Sequence, residues 1–289
     1  MVHFSRRNAL AAAMAGAAAA NLTTASAQPR ANLGGYAVNL DCWFRDVPFE
    51  KRFALAREAG FRTIEFWRTR RAPGLDAAVI RRLADENGLV IDQFAPEAPW
   101  FSDPGKHGEL VQMIETTIAD ARTLGCSQFT LVGHHIVEGM TREAMLAGYT
   151  TGLMRIAPML EAAGITALVE PFNTVNHLNH LLNGSQPAYA MVKSVNSPRI
   201  KLLWDFYHMQ LEDGDLIQKF KAGFDQVAYI QIGDVPGRHE PGTGEINHAN
   251  LIHAIRAIGY KGKIGLEFMP LNDNWHNAVK AVAGLDTNA

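Results

Sequence analysis

Four short apolar segments in the C-terminal half of the chain each end on a side chain that carries oxygen. These residues are Glu170, Asp205, Gln231 and Glu267, and they are separated by 35, 26 and 36 positions. Each interval is about the length of one strand, one helix and their loops. Parallel strands would bring the four side chains to one edge of a sheet, and oxygen donors are the ligands that Mg²⁺ or Mn²⁺ prefers. The spacing therefore predicts an oxygen-lined site for a divalent metal ion.

The elements that must position these residues alternate between strand-like and helix-like segments from Tyr36 onward. Predicted helices stop at Gly60, Gly88, Gly125 and Gly164, each just before a buried strand. Eight such βα units predict an α/β fold, a single-domain (β/α)₈ TIM barrel over residues 28–289. A doubly wound open sheet is the competing fold, but no G-x-G-x-x-G follows the first strand, which excludes its best-known nucleotide-binding form. In a barrel the active site lies at the carboxyl ends of the strands, where the four residues fall.

Composition limits the partners that the protein can have. The 289 residues carry a formal net charge of −2, with 47% apolar and 19% charged residues and no basic run. These values fit a globular enzyme with a substantial core and exclude a basic nucleic-acid or anionic-membrane surface. We expect a small molecule as the partner, and the formation of a homo-oligomer stays open.

Residues 1–27 have the composition of an export signal. Arg6 and Arg7 precede a 12-residue apolar stretch, and Ala25-Ser26-Ala27 forms a small-residue cleavage site. Twelve apolar residues are too few to span a bilayer, so we expect a signal peptide and no membrane anchor. The paired arginines favour the twin-arginine pathway and a periplasmic location, with an ordinary secretory signal as the alternative.

The sequences around the strand ends resemble those of hydroxypyruvate isomerases, which belong to the xylose-isomerase-like barrels together with the ketose 3-epimerases. The resemblance runs from about residue 33 to 285 and is carried by Val169-Glu-Pro-Phe-Asn173, Leu203-Trp-Asp-Phe-Tyr-His-Met-Gln210, Gly265-Leu-Glu-Phe-Met-Pro270 and the loop from Ile230 to Glu245. It implies that Glu170, Asp205, Gln231 and Glu267 bind the metal. It also implies that Glu170 and Glu267 are the catalytic acid/base pair.

Gln231 distinguishes between branches of this group. The ketose 3-epimerases usually have histidine at the equivalent ligand, whereas glutamine offers a neutral carbonyl oxygen that suits a hard cation and disfavours zinc. The resemblance therefore favours an isomerase over an epimerase. The alternative is a glutamine that only orders a loop.

Three further residues are predicted to contact the substrate. His208 follows Asp205 by three positions and is placed by the family motif to hydrogen-bond a substrate hydroxyl, with a structural role as the alternative. Arg238 lies in a Gly/Pro-rich loop, where its guanidinium suits a substrate carboxylate or is a solvated loop cation. Glu65, at the end of the second strand, is expected to bind the substrate or a neighbouring residue.

The leading hypothesis is a Mg²⁺- or Mn²⁺-dependent aldose–ketose type isomerase of a small hydroxy-carbonyl compound. By resemblance, the reaction converts hydroxypyruvate to tartronate semialdehyde through an enediolate, with the metal stabilising the developing charge. The alternatives are a ketose 3-epimerase or another sugar isomerase, and a non-catalytic periplasmic protein that binds sugar or metal. An export signal does not suit cytoplasmic glyoxylate metabolism, so the physiological substrate stays open.

Overall fold

Eight parallel strands form the centre of the computed structural model, which describes residues 33–285. The strands are β1 (Tyr36–Asn39), β2 (Thr63–Phe66), β3 (Val90–Phe94), β4 (Gln128–Leu131), β5 (Thr166–Val169), β6 (Ile200–Asp205), β7 (Val227–Ile232) and β8 (Ile264–Leu266). All neighbouring strands pair in parallel, in the order β3-β2-β1-β8-β7-β6-β5-β4. Most strand residues are buried, as expected for parallel strands covered by helices on the outside.

The barrel is nearly closed. Among the described strands, β3 and β4 stand at the two ends of the order, and no backbone ladder joins them. A side-chain hydrogen bond crosses this seam, from the Thr130 hydroxyl to Oε1 of Gln93 at 2.9 Å. The predicted single-domain (β/α)₈ barrel is therefore confirmed.

Nine α-helices of the described chain follow the strands. They are α1 (Phe49–Glu58), α2 (Ala77–Glu86), α3 (His107–Leu124), α4 (Arg142–Ala163), α5 (Ser185–Val195), α6 (Phe206–Glu212), α7 (Leu216–Gly223), α8 (His248–Ile258) and α9 (Trp275–Ala283). The predicted stops at Gly125 and Gly164 are left-handed caps with φ of 71° and 72°. Thr141 caps α4 by accepting from the Ala144 amide at 3.2 Å.

Helix α6 was not predicted from the sequence. It begins directly after β6 because an Asp205 oxygen accepts the Tyr207 amide at 2.9 Å and caps the helix. This short helix places His208 within one turn of the strand end. Asp205 thus has a structural role in addition to the metal-binding role predicted for it.

The predicted signal peptide, residues 1–27, lies outside the described residues, so its boundary stays a prediction. Among residues 33–285, the helices are all too short or too polar to cross a bilayer.

Candidate metal centre and active site

The carboxyl ends of β5 to β8 deliver the four predicted residues to one edge of the barrel. Glu170 and Glu267 directly follow β5 and β8, Asp205 ends β6, and Gln231 lies one residue before the end of β7. In the β-sheet ladders Asp205 is level with Gln231, and Gln231 is level with Gly265. All four side chains are buried, with exposed fractions of 6% or less. The fold thus places all four residues at the same edge of the barrel, and their role as metal ligands stays a prediction.

A compact group of possible ligand atoms lies at this edge. Nε2 of His208 is 3.7 Å from Oε1 of Glu170 and 3.6 Å from Oδ2 of Asp205, and one ligand atom from each residue lies within 4.8 Å of the others. Within residues 33–285, Oε1 of Glu170 and Nε2 of His208 are buried without a hydrogen-bond partner, and so is Oε1 of Gln231 on β7. Unpartnered buried polar atoms are costly, so these strand ends carry polar groups that a bound ligand or metal ion would satisfy.

The charges of the site point to a cation. Burial raises the pKa of Glu170 well above its ordinary value, and the charges of Glu267 and Asp205 raise it further. Burial also raises the pKa of Glu267 to about 8 and that of Asp205, although Arg238 opposes both shifts. If all are ionised, three carboxylates and one guanidinium leave two excess negative charges, which one divalent cation would neutralise.

Arg238 forms ion pairs with acidic residues of the site. Its Nη2 is 2.5 Å from Oδ2 of Asp205 and 3.2 Å from Oε1 of Glu267, and its Nε donates to the Glu267 carbonyl at 3.0 Å. The Arg238 side chain is only 15% exposed, so it is not a solvated loop cation. It also borders the cavity described below, where it can meet a substrate.

The loop that carries Arg238 is organised around the buried carboxylate of Asp234. This carboxylate accepts from the backbone amides of Val235, Gly242, Gly244 and Ile246 at 2.9–3.1 Å. A Cβ on Gly244 would lie 2.1 Å from the Val235 carbonyl oxygen, so only glycine permits this close approach. The Gly/Pro-rich composition therefore produces a fixed loop.

The hydrogen bonds around His208 define its tautomer. Oδ1 of Asn173 accepts the amides of Val175 and Asn176 at 3.0 and 2.8 Å, so the Asn173 Nδ2 group faces Nδ1 of His208, at 2.5 Å. Nδ1 must then accept, and the proton of the neutral ring lies on Nε2. Burial and the nearby Arg238 charge lower the His208 pKa well below its ordinary value, which keeps the ring neutral. His208 thus presents an N–H donor to the site and no lone pair for a metal.

Glu65 does not reach the cavity. Oε1 of Glu65 accepts from Asn39 at 3.1 Å and Gln231 at 2.9 Å, and Oε2 accepts from Gln93 at 3.1 Å and Tyr229 at 2.7 Å. The carboxylate is buried on the interior of the barrel. Of the two alternatives predicted for Glu65, the structure favours contact with neighbouring residues over contact with substrate.

The donor set fits a hard divalent ion. Carboxylate oxygens of Glu170, Asp205 and Glu267 and the amide oxygen of Gln231 are the oxygen ligands that Mg²⁺ and Mn²⁺ prefer. The free oxygens of Glu170 and Gln231 support this fit. The assignment of these four residues as ligands stays a prediction, with His208 beside them as a hydrogen-bond donor.

A cavity of about 270 Å³ opens above the acidic residues. It is bordered by Glu170, Glu267, His208 and Arg238 on the inside and by Trp67, Arg68 and Glu97 toward the mouth. Nε of Arg68 is 3.0 Å from Oε1 of Glu97, and both side chains are more than half exposed. The cavity therefore connects a buried acidic end to a polar and aromatic entrance.

His134 contacts the backbone of Glu170. Its Nε2–H donates to the Glu170 carbonyl at 3.0 Å, and its Nδ1 lies 3.3 Å from Nδ1 of His180. Burial lowers the pKa of His134 to about 3, and the nearby His180 adds to the shift. His134 faces inward, whereas His135 is half-buried and lies against Trp100 with ring centroids 4.8 Å apart.

Sequence reasoning missed several functional neighbours, namely Asn39, Gln93, Asn173 and Tyr229. Asn39, Gln93 and Tyr229 bind Glu65, and Asn173 fixes His208. The signal of Asn39, Gln93 and Tyr229 is a polar side chain within a largely apolar strand, whereas Asn173 follows the end of β5 by four residues. That signal identifies buried polar positions, but it does not say which partner each one meets.

The chain belongs to the xylose isomerase-like TIM barrel family, whose family model matches residues 53–285. A 2-oxo-tetronate isomerase from Cupriavidus necator is 31% identical over 243 residues, covering 81% of this chain and 92% of that protein. A hydroxypyruvate isomerase from Escherichia coli is 29% identical over 243 residues, covering 81% of this chain and 93% of that protein. The resemblance identified from the strand-end motifs is confirmed.

Solved structures share the fold. A protein described as an AP endonuclease of family 2 from Brucella melitensis has a TM-score of 0.78 and 31% identity, covering 87% of this chain and 98% of that one. A D-psicose 3-epimerase from Clostridium cellulolyticum H10 has a TM-score of 0.72 and 17% identity, covering 88% and 98%. At 17% identity this second likeness concerns the fold alone.

Proposed function

We propose that the protein is a divalent-metal-dependent isomerase of a small hydroxy-carbonyl acid of the hydroxypyruvate or 2-oxo-tetronate type. The observation that carries the proposal is a cavity bordered by the buried carboxyls of Glu170 and Glu267, with a carboxylate oxygen of buried Asp205 within 4.8 Å of one of Glu170. Relatives named 2-oxo-tetronate isomerase and hydroxypyruvate isomerase support the reaction class. The native metal is proposed to be Mg²⁺ or Mn²⁺, because the donors are all oxygens.

The side chains of the site match the needs of proton transfer between neighbouring carbons. Glu170 and Glu267 both border the cavity, so both carboxylates are placed to meet a bound substrate. One removes the proton and the other returns it. The Nε2–H of His208 donates to a substrate oxygen. A bound divalent ion would supply electrostatic stabilisation of the negative charge that develops on the substrate oxygens as the enediolate forms.

The entrance of the cavity favours a substrate with a carboxylate. Arg68 and Arg238 are the two cationic side chains that border the cavity, and Arg238 is held by Asp205 and Glu267. Among residues 33–285, the one ion pair of Arg68 is with the exposed Glu97, and such surface pairs are weak. A substrate carboxylate can therefore exchange with Glu97 at low cost. We assign Arg68 as the group that recognises it.

The experiment that tests this proposal is an activity screen of several substrates, repeated with each of several metal ions. The purified protein is stripped with EDTA, reloaded with Mg²⁺, Mn²⁺ or Zn²⁺, and assayed with hydroxypyruvate, 2-oxo-tetronate and neutral ketoses. We expect turnover of an acid substrate with Mg²⁺ or Mn²⁺ and none after EDTA. Turnover of neutral ketoses alone would favour the ketose 3-epimerase or sugar isomerase alternative. Metal binding without turnover of any substrate would favour a binding protein.

A matched pair of variants tests the role of Arg68. Arg68→Met should raise KM for the acid substrate and leave KM for any accepted neutral ketose unchanged. Arg70→Met is the control, because Arg70 is two residues away and pairs with Asp120. Equal KM values for wild type and Arg68→Met would exclude carboxylate recognition by this residue.

We further propose that the protein is exported to the periplasm by the twin-arginine pathway. The support is the Arg6-Arg7 pair, the short apolar stretch and the Ala-Ser-Ala site in residues 1–27. Fractionation of cells that express wild type or an Arg6→Lys/Arg7→Lys variant tests this proposal. Equal periplasmic amounts of the two would indicate an ordinary secretory route, and retention of both in the cytoplasm would refute export.

A further inference from the structure

The amide of Gln231 has two chemically different ends, and only its oxygen can bind a metal ion. Nε2 of Gln231 donates to Oε1 of Glu65 at 2.9 Å, while Oε1 of Gln231 is buried and has no hydrogen-bond partner in the described part of the chain. If the amide were flipped, its oxygen would face the Glu65 carboxylate oxygen at the same short distance. Two acceptors at that separation repel, so the carboxylate selects one orientation of the amide.

Glu65 is itself held firmly enough to make this selection. Asn39, Gln93 and Tyr229 complete its set of four donors, and they belong to β1, β3 and β7. In the ladders Glu65 is level with Asn39 on one side and with Gln93 on the other. Within residues 33–285, none of the ion pairs includes Glu65, so its charge is balanced by hydrogen bonds alone.

The neighbouring strand leaves space for this contact. Gly265 on β8 is level with Gln231, and a Cβ there would lie 2.7 Å from Cγ of Gln231 and 2.7 Å from Oε2 of Glu65. The absence of a side chain at Gly265 lets the two longer side chains meet across the barrel interior.

We propose that Glu65 is a positioning residue that fixes the Gln231 amide with its carbonyl oxygen toward the metal. The inference rests on the proposed metal-dependent function and deepens it. Glu65 touches neither metal nor substrate. Its effect passes through a single hydrogen bond, from Nε2 of Gln231 to Oε1 of Glu65.

The test is a double-mutant cycle read out as Mn²⁺ affinity by isothermal titration calorimetry on the full chain. Glu65→Gln keeps the shape but removes the carboxylate, and Gln231→Met removes the ligand oxygen. We expect Glu65→Gln to weaken Mn²⁺ binding by about 10- to 100-fold, which is the usual effect of removing a residue that hydrogen-bonds to a metal ligand. In the Gln231→Met background the same change should have no further effect. Circular dichroism and thermal unfolding without metal report whether each variant folds.

The cycle separates orientation from charge. If Glu65 acted only by its negative charge, its removal would weaken Mn²⁺ binding equally with or without Gln231. Additive effects would therefore overturn the inference. Tyr229→Phe is the matched control, since it removes one donor to Oε2 of Glu65 and leaves the Gln231 contact in place. A loss of affinity in Tyr229→Phe as large as in Glu65→Gln would also overturn it.

The inference and the proposed function fail in different ways. A wild-type protein that binds no Mn²⁺ would refute the metal-dependent function and the inference with it. Wild-type binding with unchanged affinity in Glu65→Gln would refute the inference alone. The calorimetric readout needs no substrate, so neither result depends on the reaction that the protein catalyses.

Discussion

Replacing Gly265 with alanine should destabilise the protein through steric conflict in the barrel interior. Gly265 has no positive φ, so alanine is compatible with its backbone and the cost arises from the added methyl group. This group would lie 2.7 Å from Cγ of Gln231, and 2.7 and 2.9 Å from the two oxygens of Glu65. Cβ atoms in proteins essentially never approach other atoms within 3.0 Å. The neighbours must therefore move.

The magnitude follows from the displacement that is needed. Restoring an ordinary contact of 3.4 Å from 2.7 Å requires a shift of about 0.7 Å. The hydrogen bond between Gln231 and Glu65 is 2.9 Å long, so a shift of that size strains or breaks it. Overpacking costs about 1–3 kcal/mol, and a lost hydrogen bond to a charged group costs a similar amount. We expect Gly265→Ala to lower the free energy of unfolding by about 2–4 kcal/mol.

Urea unfolding of the metal-free protein, followed by circular dichroism, measures this change. Gly108→Ala is the matched control, because a Cβ at Gly108 in helix α3 meets nothing within 4 Å and its φ is not positive. The control should be neutral or more stable by up to about 1 kcal/mol. A loss below about 1 kcal/mol in Gly265→Ala, or an equal loss in Gly108→Ala, would refute the steric reasoning.

Three further predictions concern the histidines and the proposed proton carriers. The folded-state pKa of His134 is lowered to about 3, below the unfolded value, so the stability that its neutral form contributes is present above pH 6.5 and is lost as pH falls. Urea unfolding should show that this loss lowers the free energy of unfolding by about 2 kcal/mol between pH 7 and pH 5. His134→Gln should remove this part of the pH dependence of stability. An equal pH dependence in the variant would contradict the assignment. Glu267→Gln should lower kcat by about 10²- to 10⁴-fold with a native circular dichroism spectrum, and an unchanged kcat would exclude it as a proton carrier. His208→Leu should lower kcat/KM by at least about tenfold while leaving Mn²⁺ affinity unchanged. A loss of affinity as large as that of Asp205→Asn would instead make His208 a ligand.

The sequence predicted those parts of the site that depend on spacing along the chain. Asp205 and Gln231 lie at or next to the ends of neighbouring parallel strands, and the ladder places them level, so their 26-residue separation was enough to predict that they lie side by side. The helix ends could be predicted because many helices end on a residue in the left-handed conformation, and glycine is the residue that usually adopts it. Helix α6 was missed because its residues follow the strand without a break and its cap is Asp205 itself.

The orientation of polar groups could not be predicted in the same way. The tautomer of His208 depends on Asn173, which is 35 residues away, and that amide is fixed in turn by its own loop. Glu65 is a carboxylate at a strand end, as a substrate-binding residue would be. Both of its oxygens, however, accept hydrogen bonds from four donors on three other strands. Such contacts depend on register and on depth within the barrel, which a single sequence does not reveal.

The seam between β3 and β4 links the wall of the cavity to the residues beneath it. Pro96, Thr130 and Val132 lie next to the seam and border the cavity. The Thr130 hydroxyl donates to Gln93 across the seam, and Gln93 donates to Glu65, which also accepts from Gln231. A substitution at the seam that reshapes the cavity wall therefore also acts on the hydrogen bonds that hold Gln231.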